Sequence, residues 1–208
     1  MIYKNNYYYF QEALPPHLCE DIIKLGNAQQ ELIASTGSID VEKVSEKELD
    51  FMKQKRNSNI TWLEEQWMYD IIDYYVKEAN KEAGWNVDVN WYESIQFTKY
   101  KLNQHYGWHQ DSWSEPYKDD AHKNYRGKIR KLSCIIALSD PNDYEGGNLD
   151  FKFYDDIPDQ EQKIHTCEQI KPRGNIVVFP SYIWHRVQPV TKGTRYSLVA
   201  WGLGNPYI

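Results

Sequence analysis

The sequence predicts an α+β fold with a β-sandwich or β-barrel core, on three observations. Two stretches of helical periodicity lie before Gly84, and short alternating segments separated by Gly, Pro, Asn and Asp follow it. Aromatic residues make up 15% of the chain, with 17 Tyr and 8 Trp, which suits strands and stacked cores better than a helical bundle. The 208 residues are 41% hydrophobic, with no repeat period and no linker-like stretch. One domain is therefore expected, with 1–88 mainly helical support and 89–208 forming the β core.

The elements follow in order. "PPHLCEDIIKL" (15–25) opens on prolines and spaces Leu18, Ile22 and Leu25 as one face of a short amphipathic helix. Residues 34–58 are polar and lysine-rich and read as loop with a marginal helix. The strongest helix comes next. Thr61 and Glu64 have capping-box spacing, Leu63, Trp67, Ile71, Tyr75 and Ala79 mark one stripe, and Gly84 ends it. "WYESIQFTKY" (91–100) then alternates, with Gln96, Thr98 and Tyr100 on one face and Ile95 and Phe97 on the other. Further strands are expected at 130–138, 147–153, 175–180, 184–190 and 195–201, joined by the turns "SDPNDYEGG", "KPRG" and "TKG".

The net charge of −6 argues against a general nucleic-acid binder. One run, "HKNYRGKIRK" (122–131), is basic; it reads as a solvated loop entering a strand. Cys19, Cys134 and Cys167 have no paired spacing, which fits a reducing cytoplasm. The N-terminus lacks the apolar run of a signal peptide and no 18-residue apolar span occurs, so a soluble protein without a membrane partner is expected.

Chemistry concentrates in "YGWHQDSW" (106–113). On a strand, His109 and Asp111 would share a face, either as a buried ion pair or as two ligands of a metal. His185 in "PSYIWHRVQPV" is a third ligand candidate, and two histidines with one carboxylate is the arrangement non-haem iron(II) uses while keeping positions open. Ten residues further lies Arg195. On the strand 195–201 it shares a face with Ser197, Val199 and Trp201, so burial is expected, and a buried guanidinium needs an anion. No acid on that strand supplies one; a dicarboxylate would, through a bidentate fork.

Three stretches, "QFTKYKLNQHYGWHQD", "KLSCIIALSDPNDYEGGNLDF" and "PRGNIVVFPSYIWHRVQPVTKGTRYSLVAW", resemble in their order the Fe(II)/2-oxoglutarate dioxygenases of the prolyl 4-hydroxylase type. The resemblance covers roughly residues 90–204. It implies a double-stranded β-helix (jelly-roll, cupin-like) core over 89–208, with N-terminal helices packed on one sheet. It implies iron at His109, Asp111 and His185, and 2-oxoglutarate whose far carboxylate meets Arg195 and the Tyr100 phenol. Ile135, Leu149 and Val187 match apolar positions that line the co-substrate pocket, although core packing accounts for them equally. Ala137 departs from the oxygen-sensing members, which have a tyrosine there.

The implied activity is hydroxylation of a prolyl residue in a peptide or protein, consuming O₂ and 2-oxoglutarate, releasing succinate and CO₂, with ascorbate as a reductant. Tyr106, Trp113, Arg130 and Trp201 are the substrate-side candidates; for Arg130 a surface charge is the slightly preferred reading. The loop 112–128 reads either as a lid or as a surface insertion. Hydroxylation of a free amino acid or small metabolite is the alternative. A nucleic-acid demethylase is disfavoured because Trp201 stands where those enzymes have a second arginine. His17, His105, His122 and His165 read as ordinary histidines.

Overall fold

The structure is a computed structural model that describes residues 5–34, 45–118, 121–153 and 163–207. Three helices form in the first half. Pro16 lies in the first turn of α1 (Pro16–Ala28), whose missing N–H costs nothing there, and Cys19, Ile22 and Gly26 face inward. α2 (Glu46–Lys55) begins with a reciprocal capping box between Ser45 and Glu48, and so supplies the marginal helix of the lysine-rich segment; residues 35–44 of that segment lie outside the described residues.

α3 (Gln66–Glu82) corrects the expected helix. Its start lies beyond Thr61 and Glu64, and its buried positions are Met68, Ile72, Val76 and Ala79, one residue out of phase with the expected stripe except at Ala79. The reason is that Asn59–Leu63, rich in β-branched and aromatic residues, forms a strand instead and removes Leu63 from the helical period. Gly84 does end the helix, at φ +74°.

The first 88 residues also contribute four strands: β1 (Tyr8–Phe10), β2 (Leu32–Ile33), β3 (Arg56–Asn57) and β4 (Asn59–Leu63). After them come β5 (Trp91–Tyr92), β6 (Ile95–Tyr100), β7 (His105–His109), β8 (Ile129–Ala137), β9 (Tyr144–Gly146), β10 (Leu149–Lys152) and β11 (Ile164–Thr166). The last are β12 (Ile176–Pro180), β13 (Trp184–Val187), β14 (Val190–Gly193) and β15 (Arg195–Gly204). All described pairings are antiparallel. The larger sheet runs β1-β12-β8-β15-β6-β4-β2, with β5 on β15; the smaller runs β11-β10-β13-β7-β3; β9 and β14 form a ribbon.

Strand alternation sorts the side chains into two cores. Ile95, Phe97, Leu132, Cys134, Ile136, Leu198 and Ala200 point out of the larger sheet against Ile22 of α1 and Met68, Ile72 and Val76 of α3. Tyr100, Ile135, Ala137, Val177 and Phe179 point the other way, against Leu149, Phe151 and Val187 of the smaller sheet. Helices on one sheet and a second sheet across the other face make this a jelly-roll, an α+β double-stranded β-helix. Among the described residues no helix is long and apolar enough to cross a membrane. The three cysteines are buried free thiols.

Candidate metal and co-substrate site

His109 is the last residue of β7, and His185 on β13 is paired directly opposite it. Their ring centroids lie 4.1 Å apart. Asp111 lies beyond the strand, so the expectation that one strand carries both His109 and Asp111 is corrected. A backbone clamp replaces the pleat: the N–H groups of Asp111 and Ser112 both donate to the Ser181 carbonyl, at 2.9 Å each. The carboxylate thereby turns back, with Oδ1 3.5 Å from His109 Nε2 and Oδ2 3.5 Å from His185 Nε2.

One donor atom from each of His109, Asp111 and His185 lies within 4.8 Å of the others. Donors bound at about 2.1 Å to one ion stand about 3.0–3.5 Å apart, so the arrangement is nearly preformed. Nδ1 of His109 contacts the Gly107 carbonyl and Nδ1 of His185 the Ile183 carbonyl, both at 2.9 Å. A carbonyl only accepts, so each Nδ1 keeps its proton and each Nε2 presents a lone pair to the centre. Burial, reinforced by His109, pushes the His185 imidazole down to about 4 and keeps it neutral. Burial acts to raise the Asp111 carboxyl, but the histidines when protonated, together with Arg130, prevail and hold it below the ordinary carboxylate range. Two imidazoles and an ionised carboxylate fit a divalent transition-metal ion.

Arg195 is paired with Tyr100 across β15 and β6, and the register sets Ser197 opposite Ala137, Val199 opposite Ile135 and Trp201 opposite Ser133. These residues share the inner face, as the alternation predicted. Arg195 is 3% exposed. Its Nη1 donates to Ser197 Oγ at 3.2 Å, its Cζ lies 5.6 Å from the Tyr100 ring, and no acidic side chain among the described residues pairs with it. A guanidinium does not shed its charge, so this burial leaves a place for an anion. Burial keeps the Tyr100 hydroxyl protonated, a donor beside that cation. Gly147, in the turn "EGG", makes room: at φ +60°, a Cβ on it would stand 2.9 Å from Arg195 Cδ. Leu149 faces Val187 across β10 and β13, and both join Ile135 in the inter-sheet core.

On the other side of the centre, the Tyr106 ring stacks on His109 at 3.5 Å. Burial pushes its phenol up to about 12, so it stays neutral. Arg130 lies between Trp201 and Trp113, its Cζ 3.8 and 4.8 Å from their rings. It is not a surface charge: Nε and Nη2 fork onto the buried Glu93, both at 2.6 Å, and Nη1 reaches the Asp111 carbonyl at 3.5 Å. Tyr117 also donates to Glu93, and its backbone ties to Lys128 and Gly127, so the described part of the 112–128 loop is anchored to this pair. The basic run is split by β8; Lys131 is 2% exposed, not solvated.

Sequence reasoning missed Glu93, Arg56, Ser133 and Ser181. Arg56, 7% exposed, stacks over Tyr106 at 4.5 Å and donates to Ser58 Oγ, again without an acidic partner among the described residues. Its segment reads as loop, so nothing marked it; β3 brings it beside Tyr106 through pairing with β7.

The sequence profile of the 2OG-Fe(II) oxygenase superfamily matches residues 95–202, more than half of the chain. The chain belongs to that superfamily. The superfamily's name specifies oxygenases that use Fe(II) and 2-oxoglutarate. Among curated relatives, PKHD-type hydroxylase PiuC of Pseudomonas aeruginosa is 34% identical over 83 residues, 39% of this chain and 32% of that one. A PKHD-type hydroxylase of Prochlorococcus marinus is 39% identical over 71 residues, 34% of this chain and 28% of that one. The match thus spans about a third of each relative's length. Solved structures share the fold at low identity. A viral collagen prolyl hydroxylase from Paramecium Bursaria Chlorella virus-1 has a TM-score of 0.60 at 18% identity, covering 96% of this chain and 97% of that one. A Pseudomonas putida prolyl-4-hydroxylase has 0.61 at 19%, covering 97% and 94%. A Trichoplax adhaerens prolyl hydroxylase, in complex with a hypoxia inducible factor peptide fragment, has 0.63 at 18%, covering 95% and 83%.

Proposed function

We propose that the chain hydroxylates a prolyl residue in a peptide or protein, with His109, Asp111 and His185 holding Fe(II) and Arg195 with Tyr100 holding the far carboxylate of 2-oxoglutarate. The observation that carries this reading is Arg195, buried on the inner face of the larger sheet with no acidic partner among the described residues, while the three convergent donors gather at the smaller sheet across the same interior. When bound, the metal with 2-oxoglutarate and O₂ supplies an oxidant strong enough for an unactivated C–H bond, releasing succinate and CO₂.

The chain's own residues have three tasks. Arg195 and Tyr100 orient the co-substrate by a charged fork and a phenol donor. Ile135, Leu149 and Val187 form apolar walls that exclude water beside it. Trp113 and Trp201 flank the Arg130–Glu93 fork and Tyr106 stacks on His109, and these aromatic surfaces suit a rigid, apolar pyrrolidine ring. The Trp201 indole N–H is buried and has no acceptor among the described residues.

The structural neighbours include prolyl hydroxylases, one with a bound peptide, which favours a polypeptide over a free metabolite. Three free thiols favour a reducing compartment such as the cytoplasm. The test is substrate-dependent succinate release with Fe(II) and ascorbate, across proline-containing peptides and free amino acids, read together with mass spectrometry. An added oxygen atom on a peptidyl proline supports the reading. Oxygen on a free amino acid, a nucleobase or another residue overturns the substrate assignment.

A further inference from the structure

The Asp111 carboxylate is held by more than the two histidines. Ser133, fully buried on β8, donates its hydroxyl to Asp111 Oδ2 at 2.7 Å and lies 2.9 Å from the Ser181 hydroxyl. Proton bookkeeping orients this chain. A carboxylate only accepts, and Ser133 has one hydroxyl hydrogen, so that hydrogen is committed to Asp111 and Ser181 donates to Ser133. The order Ser181, Ser133, Asp111 polarises the last bond, a hydroxyl on an anion. Ser181 also takes the N–H groups of Asp111 and Ser112 on its carbonyl and gives its own N–H to the Lys131 carbonyl. One residue thus fixes the backbone of Asp111 and, through Ser133, its side chain. Packing does not explain a hydroxyl here, because the cross-strand partners of Ser133 are Phe179 and Trp201.

We propose that Ser133 and Ser181 form a hydroxyl relay that positions Asp111 to bind the metal through Oδ1 alone. The inference rests on the metal-site reading above. Oδ2, already committed to a short hydroxyl bond, is the weaker donor of the pair, and the bond stops the carboxylate from rotating. A carboxylate free to swing can bind through both oxygens and fill a further coordination position. An oxygenase that must admit a chelating keto acid and then O₂ needs that position open. Ser133 and Ser181 are therefore positioning residues, acting through Asp111.

The test uses the purified full chain and Co(II) as the probe, with Ser133→Ala, Ser133→Thr and Ser181→Ala. Ser133→Ala weakens Co(II) binding about 10–100-fold, the usual effect of removing an outer partner of a ligand, and changes the visible absorption of the bound ion. Ser133→Thr keeps the hydroxyl and retains the wild-type spectrum, and Ser181→Ala shows a smaller loss in the same direction. Thermal melts of the metal-free variants separate misfolding from a lost ligand contact; if Ser133→Ala does not fold, Ser181→Ala carries the test. Wild-type affinity and spectrum in a folded Ser133→Ala overturn the relay, as does an equal loss in the threonine variant. A wild-type chain that binds no Co(II) overturns the metal-site reading beneath it.

Discussion

Replacing Arg195 by Met removes a charge while keeping most of the side chain's length, and two opposite consequences follow from its surroundings. In the ligand-free protein Arg195 is 3% exposed, its guanidinium donates to Ser197 Oγ, and it has no acidic partner among the described residues. A buried charge in that condition destabilises the fold, so Arg195→Met leaves the ligand-free melting temperature unchanged or raises it. Binding of 2-oxoglutarate suffers instead. A hydrogen bond to a charged group contributes about 1.5–3 kcal/mol, which corresponds to a loss of roughly 10- to 150-fold in affinity. Arg195→Lys should recover part of this, because the charge returns and the planar fork does not. Isothermal titration of 2-oxoglutarate into the metal-loaded protein, beside scanning calorimetry of the ligand-free protein, reads both effects. Unchanged affinity in the Met variant refutes the assignment. A large fall in ligand-free stability refutes the premise that Arg195 lacks an internal partner.

Gly147→Ala places a Cβ at φ +60° and 2.9 Å from Arg195 Cδ; we expect about 1–2 kcal/mol of lost stability and a raised KM for 2-oxoglutarate, checked by denaturation and by steady-state kinetics. Arg130→Ala strands the buried Glu93 carboxylate and should cost about 3–5 kcal/mol, while Arg130→Met with Glu93→Leu recovers much of it in urea melts. The pH response of the metal-free protein follows from His185, which burial pushes down to about 4 from the ordinary histidine value of 6.5. Its unfolded form takes up the proton first, so its contribution is present above 6.5 and is lost as pH falls toward 4. Denaturation at steps across that window should show a steeper decline in the wild type than in His185→Gln, and equal slopes would contradict it.

Much of the interior was legible because strand alternation is a strong signal when both faces are buried. Arg195, Ser197, Val199 and Trp201 were assigned one face, and Tyr100 with Thr98 and Gln96 another, and the β15–β6 register joins them. His109, Asp111 and His185 do converge, but the reason differs: Asp111 is turned by the Ser181 carbonyl, a tertiary contact that no local pattern encodes. The phase of α3 was misread because "NITWL" contains both a helical period and β-branched residues, and pairing with β6 and β2 decided for the strand. Arg56 and Glu93 stayed invisible for the same reason. Each is an ordinary charged residue in its own segment, and only the neighbouring strand or Arg130 gives it a buried role.

The central claim is that His109, Asp111 and His185 hold a metal to which 2-oxoglutarate, anchored at Arg195, then binds. Anaerobic titration of Fe(II) and 2-oxoglutarate into the chain tests it most directly, because ferrous iron chelated by a keto acid absorbs visible light and neither component alone does. The account predicts a visible band that saturates at one iron per chain, requires 2-oxoglutarate, disappears in Asp111→Ala and needs far more 2-oxoglutarate in Arg195→Met. A wild-type chain that develops no band, or a band that survives Asp111→Ala unchanged, would contradict it.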